Sequence, residues 1–161
     1  MHLESQVVVR RTPEEVWAFL GDPSNIPKWD RGVSGIQQTA AGETGIGLEF
    51  DTLGYSKTEA DERNAGRMSY RVSEVDPVKG CTVQLTSTKG NARFFKSASW
   101  NFRVQPTPEG SRVICSTDFT LRLPYLLLAP ILYAKRSAIQ FDLQALKRVL
   151  ETEQLPEGLK L

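Results

Sequence analysis

The sequence predicts an α+β fold in which a curved antiparallel sheet of about seven strands wraps around a long C-terminal helix, with two short helices between strands 1 and 2. Most of the chain consists of short runs in which apolar and polar residues alternate, as they do in strands with one buried face. Two cap-and-proline signals occur near the N-terminus, and one long segment, 125–151, repeats its apolar residues with helical spacing. We expect a single domain, 1–152, followed by a C-terminal tail, 153–161.

The first strand and the two short helices are predicted from local signals. Residues 3–10 alternate, and Thr12 then supplies a helix cap, followed by Pro13 in the first turn and by Glu15, which completes a capping box. Residues 22–25 repeat the cap-and-proline pattern and begin a second short helix that ends near Trp29. Both helices therefore precede the second strand.

The remaining strands are predicted from alternation and from the turns between them. They lie near 33–39, 48–52, 68–73, 83–89, 94–104 and 112–123. One face of segment 94–104 carries Phe94, Lys96, Ala98, Trp100, Phe102 and Val104, and we expect this face to point inward. In the last strand Thr117 and Phe119 point inward, whereas Asp118, like Asp51 in an earlier strand, is expected on a solvated outer face.

The segment 125–151 is expected to be one helix with two adjacent apolar stripes. One stripe contains Leu127, Ile131, Ala134, Ala138, Phe141, Ala145 and Val149, and the other contains Leu128, Leu132, Ile139, Leu143, Leu146 and Leu150. Lys135 and Asp142 project within the apolar arc, about 10 Å apart along the axis, which is too far for a direct salt bridge. Either both contact a ligand in a cavity, or Lys135 reaches solvent along its stem and Asp142 pairs with an arginine of the sheet.

The width of the sheet has a consequence for the interior. Seven strands at about 4.8 Å spacing form a sheet roughly 30 Å wide, whereas one helix with its side chains covers only about 10–12 Å. The sheet must therefore curl around the helix, and the remaining space becomes a cavity.

Composition excludes several classes of function. The formal net charge is +1 and no basic stripe is visible, so we expect no nucleic-acid partner. His2 is the only histidine, which argues against His-based catalysis and against a His-rich metal site, and we expect neither metal nor cofactor. The longest apolar run, 123–134, is too short for stable membrane insertion. With two cysteines and no visible signal peptide, we expect a cytoplasmic monomer or homodimer.

Several motifs resemble one known superfamily. They are Thr12 to Leu20, Asp22-Pro23, Trp29-Asp30, Gly32-Val33, Val75-Asp76-Pro77, the long hairpin around Gly110 and the helix end Leu146 to Glu151. Together they resemble the START/Bet v 1-like (SRPBCC) superfamily, specifically its bacterial polyketide cyclase/dehydrase and lipid-transport branch, over about residues 1–152. The resemblance implies a helix-grip fold with a hydrophobic-ligand cavity between sheet and helix, but no particular reaction, because members include transporters, receptors, cyclases and binding modules.

We expect the cavity to be lined by residues of the inner sheet face and of the long helix. These are Phe50, Tyr70, Phe94, Lys96, Ala98, Trp100, Phe102, Thr117, Phe119, Lys135, Ala138, Ile139 and Asp142. Lys96 interrupts an apolar face and is expected where the pocket opens.

Three functions fit these expectations. The leading hypothesis is binding or transport of a small hydrophobic molecule, such as a lipid, an isoprenoid or a polyketide-like compound. The alternative is a polyketide cyclase or dehydratase in which Lys135, Asp142 or Tyr70 provides acid/base assistance. The second alternative is a protein-interaction module. The apolar segment 123–130 is expected to plug the sheet, form a ligand portal, make a dimer contact or touch a membrane transiently.

Overall fold

The computed structural model describes residues 1–39, 45–54, 66–76, 80–88, 92–130 and 136–152. In this part of the chain β1 (His2–Val9) is followed by α1 (Pro13–Leu20), a 3-10 turn (Pro23–Asn25) and α2 (Ile26–Trp29). The strands β2 (Gly35–Gln38), β3 (Glu49–Leu53), β4 (Met68–Asp76), β5 (Gly80–Leu85), β6 (Phe95–Thr107) and β7 (Gly110–Leu121) come next. A 3-10 segment (Leu123–Leu128) and α3 (Arg136–Thr152) follow, and the predicted tail lies outside the described residues.

The strands form one seven-stranded sheet with the order β1-β7-β6-β5-β4-β3-β2. From β2 to β7 each strand pairs antiparallel with its neighbour in sequence, and β1 pairs antiparallel with β7. Since β1 lies at the edge beside the last strand, the chain between β1 and β2 must pass from one edge of the sheet to the other. The two short helices make this crossing, which confirms the predicted fold class.

The short helices begin where their capping residues predict. Glu15 N–H donates to Thr12 Oγ1 at 3.3 Å, and Thr12 N–H donates to Glu15 Oε2 at 2.8 Å, which is a complete capping box. Asp22 then accepts from the backbone N–H of Ser24 at 2.9 Å and caps the 3-10 turn before α2. The apolar residues Val16 and Phe19 of α1 are buried against the sheet and α3.

A β-bulge at the start of β6 changes the predicted faces of that strand. Phe95 pairs with Leu121 and Ser97 pairs with Thr120, so Lys96 is the additional residue. The bulge turns Phe95 inward, where it is 9% exposed, and leaves Lys96 exposed. The prediction that Lys96 shares the inner face while Phe95 lies outside was therefore wrong, because simple alternation cannot register an inserted residue.

The first residues of the predicted long helix form a 3-10 segment instead. This segment occupies 123–128, residues 129–130 are helical, residues 131–135 lie outside the described ranges, and α3 is described from Arg136 onward. Pro130 explains why one helix cannot run through from Tyr125, since proline inside a helix removes a hydrogen bond and clashes with the preceding turn. Only one of the two predicted stripes is deeply buried: Leu143, Leu146 and Leu150 are 1%, 0% and 0% exposed. On the other stripe Phe141 is 57% exposed and Ala138 is also exposed.

The polar side of α3 covers the free edge of β1. Lys147 Nζ donates to Val8 O at 2.8 Å, Glu151 Oε1 accepts from Arg10 N–H at 2.9 Å, and the side chains of Ser5 and Gln140 are hydrogen-bonded. Unpaired edge groups are prone to pair with another chain, and these contacts occupy some of them. The helix is therefore fixed on the β1–β7 side of the sheet by apolar packing and by polar bonds to the edge strand.

Two aspartates that were expected on outer faces differ in their surroundings. Asp118 has an exposed side chain, as expected, and pairs with His2. Asp51 is 5% exposed and its Oδ2 lies 3.2 Å from Arg67 Nη1, so the expectation that it is solvated was wrong. The arginine that satisfies this buried carboxylate precedes β4, and alternation within β3 holds no information about it.

Candidate functional site

Aromatic side chains occupy the middle of the helix-facing side of the sheet. Tyr70 on β4 stacks on Phe50 of β3 with ring centroids 5.7 Å apart, and it meets Trp100 of β6 edge-on at 5.3 Å. Phe102, two residues further along β6, contacts Trp29 of α2 edge-on at 5.9 Å. Trp100 and Phe102 lie on the same face of β6, two positions apart, so together these contacts form an aromatic surface of Phe50, Tyr70, Trp100, Phe102 and Trp29.

The fully buried core is divided into three clusters around this surface. The helix cluster includes Val9, Val113, Leu143, Leu146 and Leu150; the β6–β7 cluster contains Ala92, Phe95, Ala98, Phe119 and Leu121; the β3–β4 cluster contains Leu48, Phe50 and Val72. Trp100 packs against both the helix cluster and the β6–β7 cluster and is itself only half-buried. Tyr70 and Phe102 are half-buried too, so the middle of the aromatic surface is less enclosed than its two ends, Phe50 and Trp29, which are buried.

A group of charged residues lies where the end of α2 meets α3. Arg31 Nε is 3.6 Å from Asp142 Oδ1, and the Arg31 guanidinium lies 5.1 Å from the centroid of the Phe141 ring. Asp30, which ends α2, accepts a hydrogen bond from the backbone N–H of Gly32 at 2.8 Å. Asp142 therefore pairs with an arginine, but the arginine belongs to the segment after α2 and not to the sheet.

Both aspartates of this group hold their protons more tightly than an ordinary carboxyl. Burial raises the pKa of Asp30, the hydrogen bond from Gly32 opposes that rise, and the charge of Asp142 adds to it. Burial also raises the pKa of Asp142, while the backbone N–H and the guanidinium of Arg31 lower it. Two carboxyls close enough to repel each other can serve as hydrogen-bond partners or as an acid/base pair.

Three further polar groups lie on the helix-facing side of the sheet. Burial raises the pKa of the Tyr70 hydroxyl well above its usual value, and it raises the pKa of the Cys115 thiol to about 12. Cys115 therefore stays protonated at neutral pH and is a poor nucleophile. Thr117 is 6% exposed, and its hydroxyl interacts with the Cys115 thiol but makes no close hydrogen bond to the described residues.

The structure brings together most of the residues predicted to line a cavity. Seven of them occupy the helix-facing side of the sheet, namely Phe50, Tyr70, Ala98, Trp100, Phe102, Thr117 and Phe119. Asp142 and Ile139 lie on α3, and Ile139 packs against the helix cluster. Phe94 lies just before β6, with its ring centroid 4.4 Å from that of Phe95. Lys96 and Ala138 are exposed instead, and Lys135 lies outside the described residues.

Asp30, Arg31 and Thr52 were not predicted as site residues. Asp30 and Arg31 follow a four-residue helix, where no periodicity assigns an inner or outer side. The pair Trp29-Asp30, an aromatic residue followed directly by an acid, is the signal in the sequence, and it belongs to the motifs that carry the family resemblance. Thr52 is 7% exposed and donates to Met68 O at 3.4 Å, and a threonine in an alternating strand carries no signal that separates it from packing residues.

Three other findings concern the described residues. No group of three or more His, Cys, Asp or Glu side chains among them is arranged to hold a metal ion. An open surface groove of about 550 Å³ lies at the β6–β7 hairpin and is lined by Arg10, Arg11, Thr12, Glu15, Glu109 and Gly110. These residues belong to the ends of β1, α1 and the hairpin, so the groove is separate from the aromatic surface. Among the described helices, none has both the length and the apolar character that a membrane span requires.

Sequence and structure comparisons agree with this geometry. The family described as "Polyketide cyclase / dehydrase and lipid transport" matches residues 1–151. No curated protein shows significant similarity to the chain. The crystal structure of Ara h 8.0201 superposes with a TM-score of 0.67 at 12% identity, covering 93% of this chain and 97% of that one. The crystal structure of TTHA0849 from Thermus thermophilus gives a TM-score of 0.67 at 14% identity, with the same 93% and 97% coverage. At these identities the two structures show a shared fold.

Proposed function

The chain belongs to the polyketide cyclase/dehydrase and lipid-transport family, and we propose that it binds a small hydrophobic molecule between the helix-facing side of the sheet and α3. The observation that carries the proposal is the state of Trp100. This residue lies on β6, which has neighbours on both sides, and its side chain packs on two core clusters. A position of this kind should be among the most buried in the protein, yet Trp100 is half-buried while Val104 on the same strand is 8% exposed.

The buried hydroxyl of Thr117 supports the same proposal, because the polar group that interacts with it is the Cys115 thiol, a weak hydrogen-bond partner. A buried hydroxyl without a strong partner costs up to about 1–3 kcal/mol relative to a well-bonded one. Thr117 pairs across the sheet with Trp100 and therefore lies beside the aromatic surface. A polar atom of the ligand, or a water held by it, would satisfy the hydroxyl and remove this penalty.

The charges near the site narrow the class of ligand. Aromatic rings provide the contact area on the sheet, and Asp30 and Asp142 are the carboxyls that meet near the end of α2. These carboxyls disfavour an anionic ligand and favour one that donates a hydrogen bond. We therefore propose a neutral or basic, mostly apolar molecule, such as an isoprenoid, a polyketide-like compound or a lipid without an exposed acid group, with Phe50, Tyr70, Trp100, Phe102 and Thr117 as its main contacts.

Binding of N-phenyl-1-naphthylamine, a neutral apolar dye, tests the proposal. We expect saturable binding to the wild-type protein and binding at least about tenfold weaker to Thr117→Met, because the larger side chain fills the proposed space. Thr120→Met is the matched control, since Thr120 lies on the same strand but is exposed. It should bind the dye like the wild type.

The free energy of unfolding of the same variants shows whether the region beside Trp100 is instead solidly packed. If the region beside Trp100 is solidly packed, Thr117→Met overpacks it and lowers the free energy of unfolding by about 1–3 kcal/mol. That result, together with no saturable dye binding to the wild type, would contradict the proposal. Native mass spectrometry of the wild-type protein would identify a molecule that copurifies with it.

A cyclase or dehydratase activity is the second candidate function. The observation that favours it is the pair Asp30 and Asp142, whose raised pKa values suit proton transfer nearer to neutral pH than ordinary carboxyls allow. Loss of turnover of a polyketide-like substrate in Asp142→Asn, with dye binding unchanged, would favour this candidate over simple binding.

A further inference from the structure

Three leucines in the segment after β7 have most of their side-chain surface exposed. Leu123, Leu126 and Leu127 are 86%, 52% and 90% exposed, and together we call them the leucine patch. They belong to the 3-10 segment 123–128, whose three-residue repeat places Leu123 and Leu126 on the same side. Ala129, directly after this segment, packs against the β6–β7 cluster. The chain is therefore anchored by the alanine, and the leucines point to solvent.

Basic side chains lie next to the leucine patch. Arg122 is exposed and is held in place by hydrogen bonds from Nη2 to Thr88 Oγ1 at 2.6 Å and from Nε to Phe95 O at 3.2 Å. The backbone N–H of Arg122 also donates to Phe94 O at 3.0 Å, which brings the start of β6 beside the patch. Arg93 and Lys96, on either side of that position, are exposed as well.

No acidic residue occurs in the two stretches of sequence that meet at this end of the sheet. Residues 77–108 and 119–141 contain lysines and arginines but neither aspartate nor glutamate. Asp118, the acid directly before the second stretch, is paired with His2. The combination of exposed leucines with Arg93, Lys96 and Arg122 complements a lipid surface that has an apolar interior and anionic headgroups. It opposes a contact between two copies of this chain, because a two-fold contact would bring the same cations together.

We propose that the leucine patch, with Arg93, Lys96 and Arg122 around it, docks the protein on the surface of an anionic lipid bilayer. The leucines enter the boundary between headgroups and acyl chains, and the three cations contact lipid phosphates. This docking is peripheral, and it does not depend on whether the region beside Trp100 binds a ligand.

Co-sedimentation with vesicles tests the docking. The full chain is mixed with vesicles of phosphatidylcholine alone and with vesicles that also contain phosphatidylglycerol. We expect the wild-type protein to bind the mixed vesicles. The double variant Leu123→Ser/Leu127→Ser should bind them at least about tenfold more weakly. In Arg93→Gln/Lys96→Gln each charge removed should weaken binding about fivefold. Ile46→Ser is the matched control, because Ile46 is 69% exposed in the turn before β3, and it should bind like the wild type.

Other results would overturn the docking proposal. These are no binding to phosphatidylglycerol vesicles, equal binding by the double serine variant, or a wild-type oligomer that this variant converts to monomers without any vesicle binding. The last result would assign the patch to a contact between copies of the chain. Because both leucines are exposed, the serine variant should keep its fold, which circular dichroism checks. Its binding of N-phenyl-1-naphthylamine should stay unchanged, so the docking and ligand-binding proposals fail separately.

Discussion

Asp30 shows how burial controls the protonation of a single carboxyl in this protein. Its raised pKa arises first from burial, and the charge of Asp142 adds to it. The folded state therefore holds this proton more tightly than the unfolded chain does. As a consequence, the contribution of Asp30 to the free energy of unfolding is fully present below about pH 4, the pKa of an unfolded aspartate, and is lost as the pH rises through the higher pKa of the folded state.

The substitution Asp30→Asn should remove the loss of stability that the ionisation of Asp30 causes as the pH rises. The amide keeps an oxygen that accepts the hydrogen bond from Gly32 but carries no charge. We expect the variant to be more stable than the wild type at pH 7, with a difference that shrinks as the pH falls toward about 4. Urea unfolding across this pH range measures it, and Asp118→Asn, which changes an exposed carboxyl, is the control. An Asp30→Asn protein that is less stable at pH 7, or a difference that does not vary with pH, would contradict the assignment.

At the scale of single residues, the sequence predicted apolar positions better than charged ones. The inward positions of Trp100 and Thr117 follow from alternation alone. The burial of Asp51 and the pairing of Asp142 with Arg31 do not, because each depends on an arginine from a different part of the chain. Long-range ion pairs leave no periodic trace in a single sequence.

At the scale of elements, the bulge residue Lys96 decides which side chains of β6 face the helix. The bulge at Lys96 lets Phe95 and Ala98 share the helix-facing side although they are three positions apart, an odd spacing that regular alternation would place on opposite faces. Without the bulge, alternation would place Lys96 inside and Phe95 outside. The bulge therefore preserves the β6–β7 cluster.

Deletion of Lys96 should be tolerated for this reason. Phe95 would then be followed directly by Ser97, regular alternation would be restored, and both Phe95 and Ala98 would remain inside. We expect a loss of about 1 kcal/mol or less in the free energy of unfolding. Deletion of Ser99, where the pairing is regular, should instead turn Ala98 and Phe95 outward and cost about 3 kcal/mol or more. Equal losses in the two deletions, measured by urea unfolding, would contradict the bulge.

At the scale of elements, local signals predicted beginnings better than ends and interruptions. The short helices begin where the capping box at Thr12 and the proline after Asp22 predicted. The prediction extended the long helix too far toward the N-terminus, because the apolar spacing continues across Pro130. Proline has no N–H, so the helical hydrogen bond from position 130 to the carbonyl of residue 126 cannot form. The same error placed Leu127 on a buried stripe, while the structure leaves it 90% exposed.

At the scale of the whole molecule, the fold follows from matching one helix to a wide sheet. The apolar stripe of Leu143, Leu146 and Leu150 covers the β1–β7 side, and the polar side of α3 bonds to the edge strand β1. Strands further across the sheet form their own cluster around Phe50 and Val72. The aromatic residues Tyr70, Trp100 and Phe102 lie between these regions. At this position the sheet extends beyond the width that α3 covers.

The most direct measurement of the proposed ligand site is the response of individual tryptophan indole N–H signals in an NMR titration with N-phenyl-1-naphthylamine. The chain has three tryptophans, so substitution by phenylalanine assigns each signal. We expect the Trp100 signal to move saturably as the dye is added, and the signal of Trp17, which lies on α1, to stay in place. A Trp100 signal that does not move at saturating dye, or one that moves no more than that of Trp17, would contradict a ligand site between the sheet and α3.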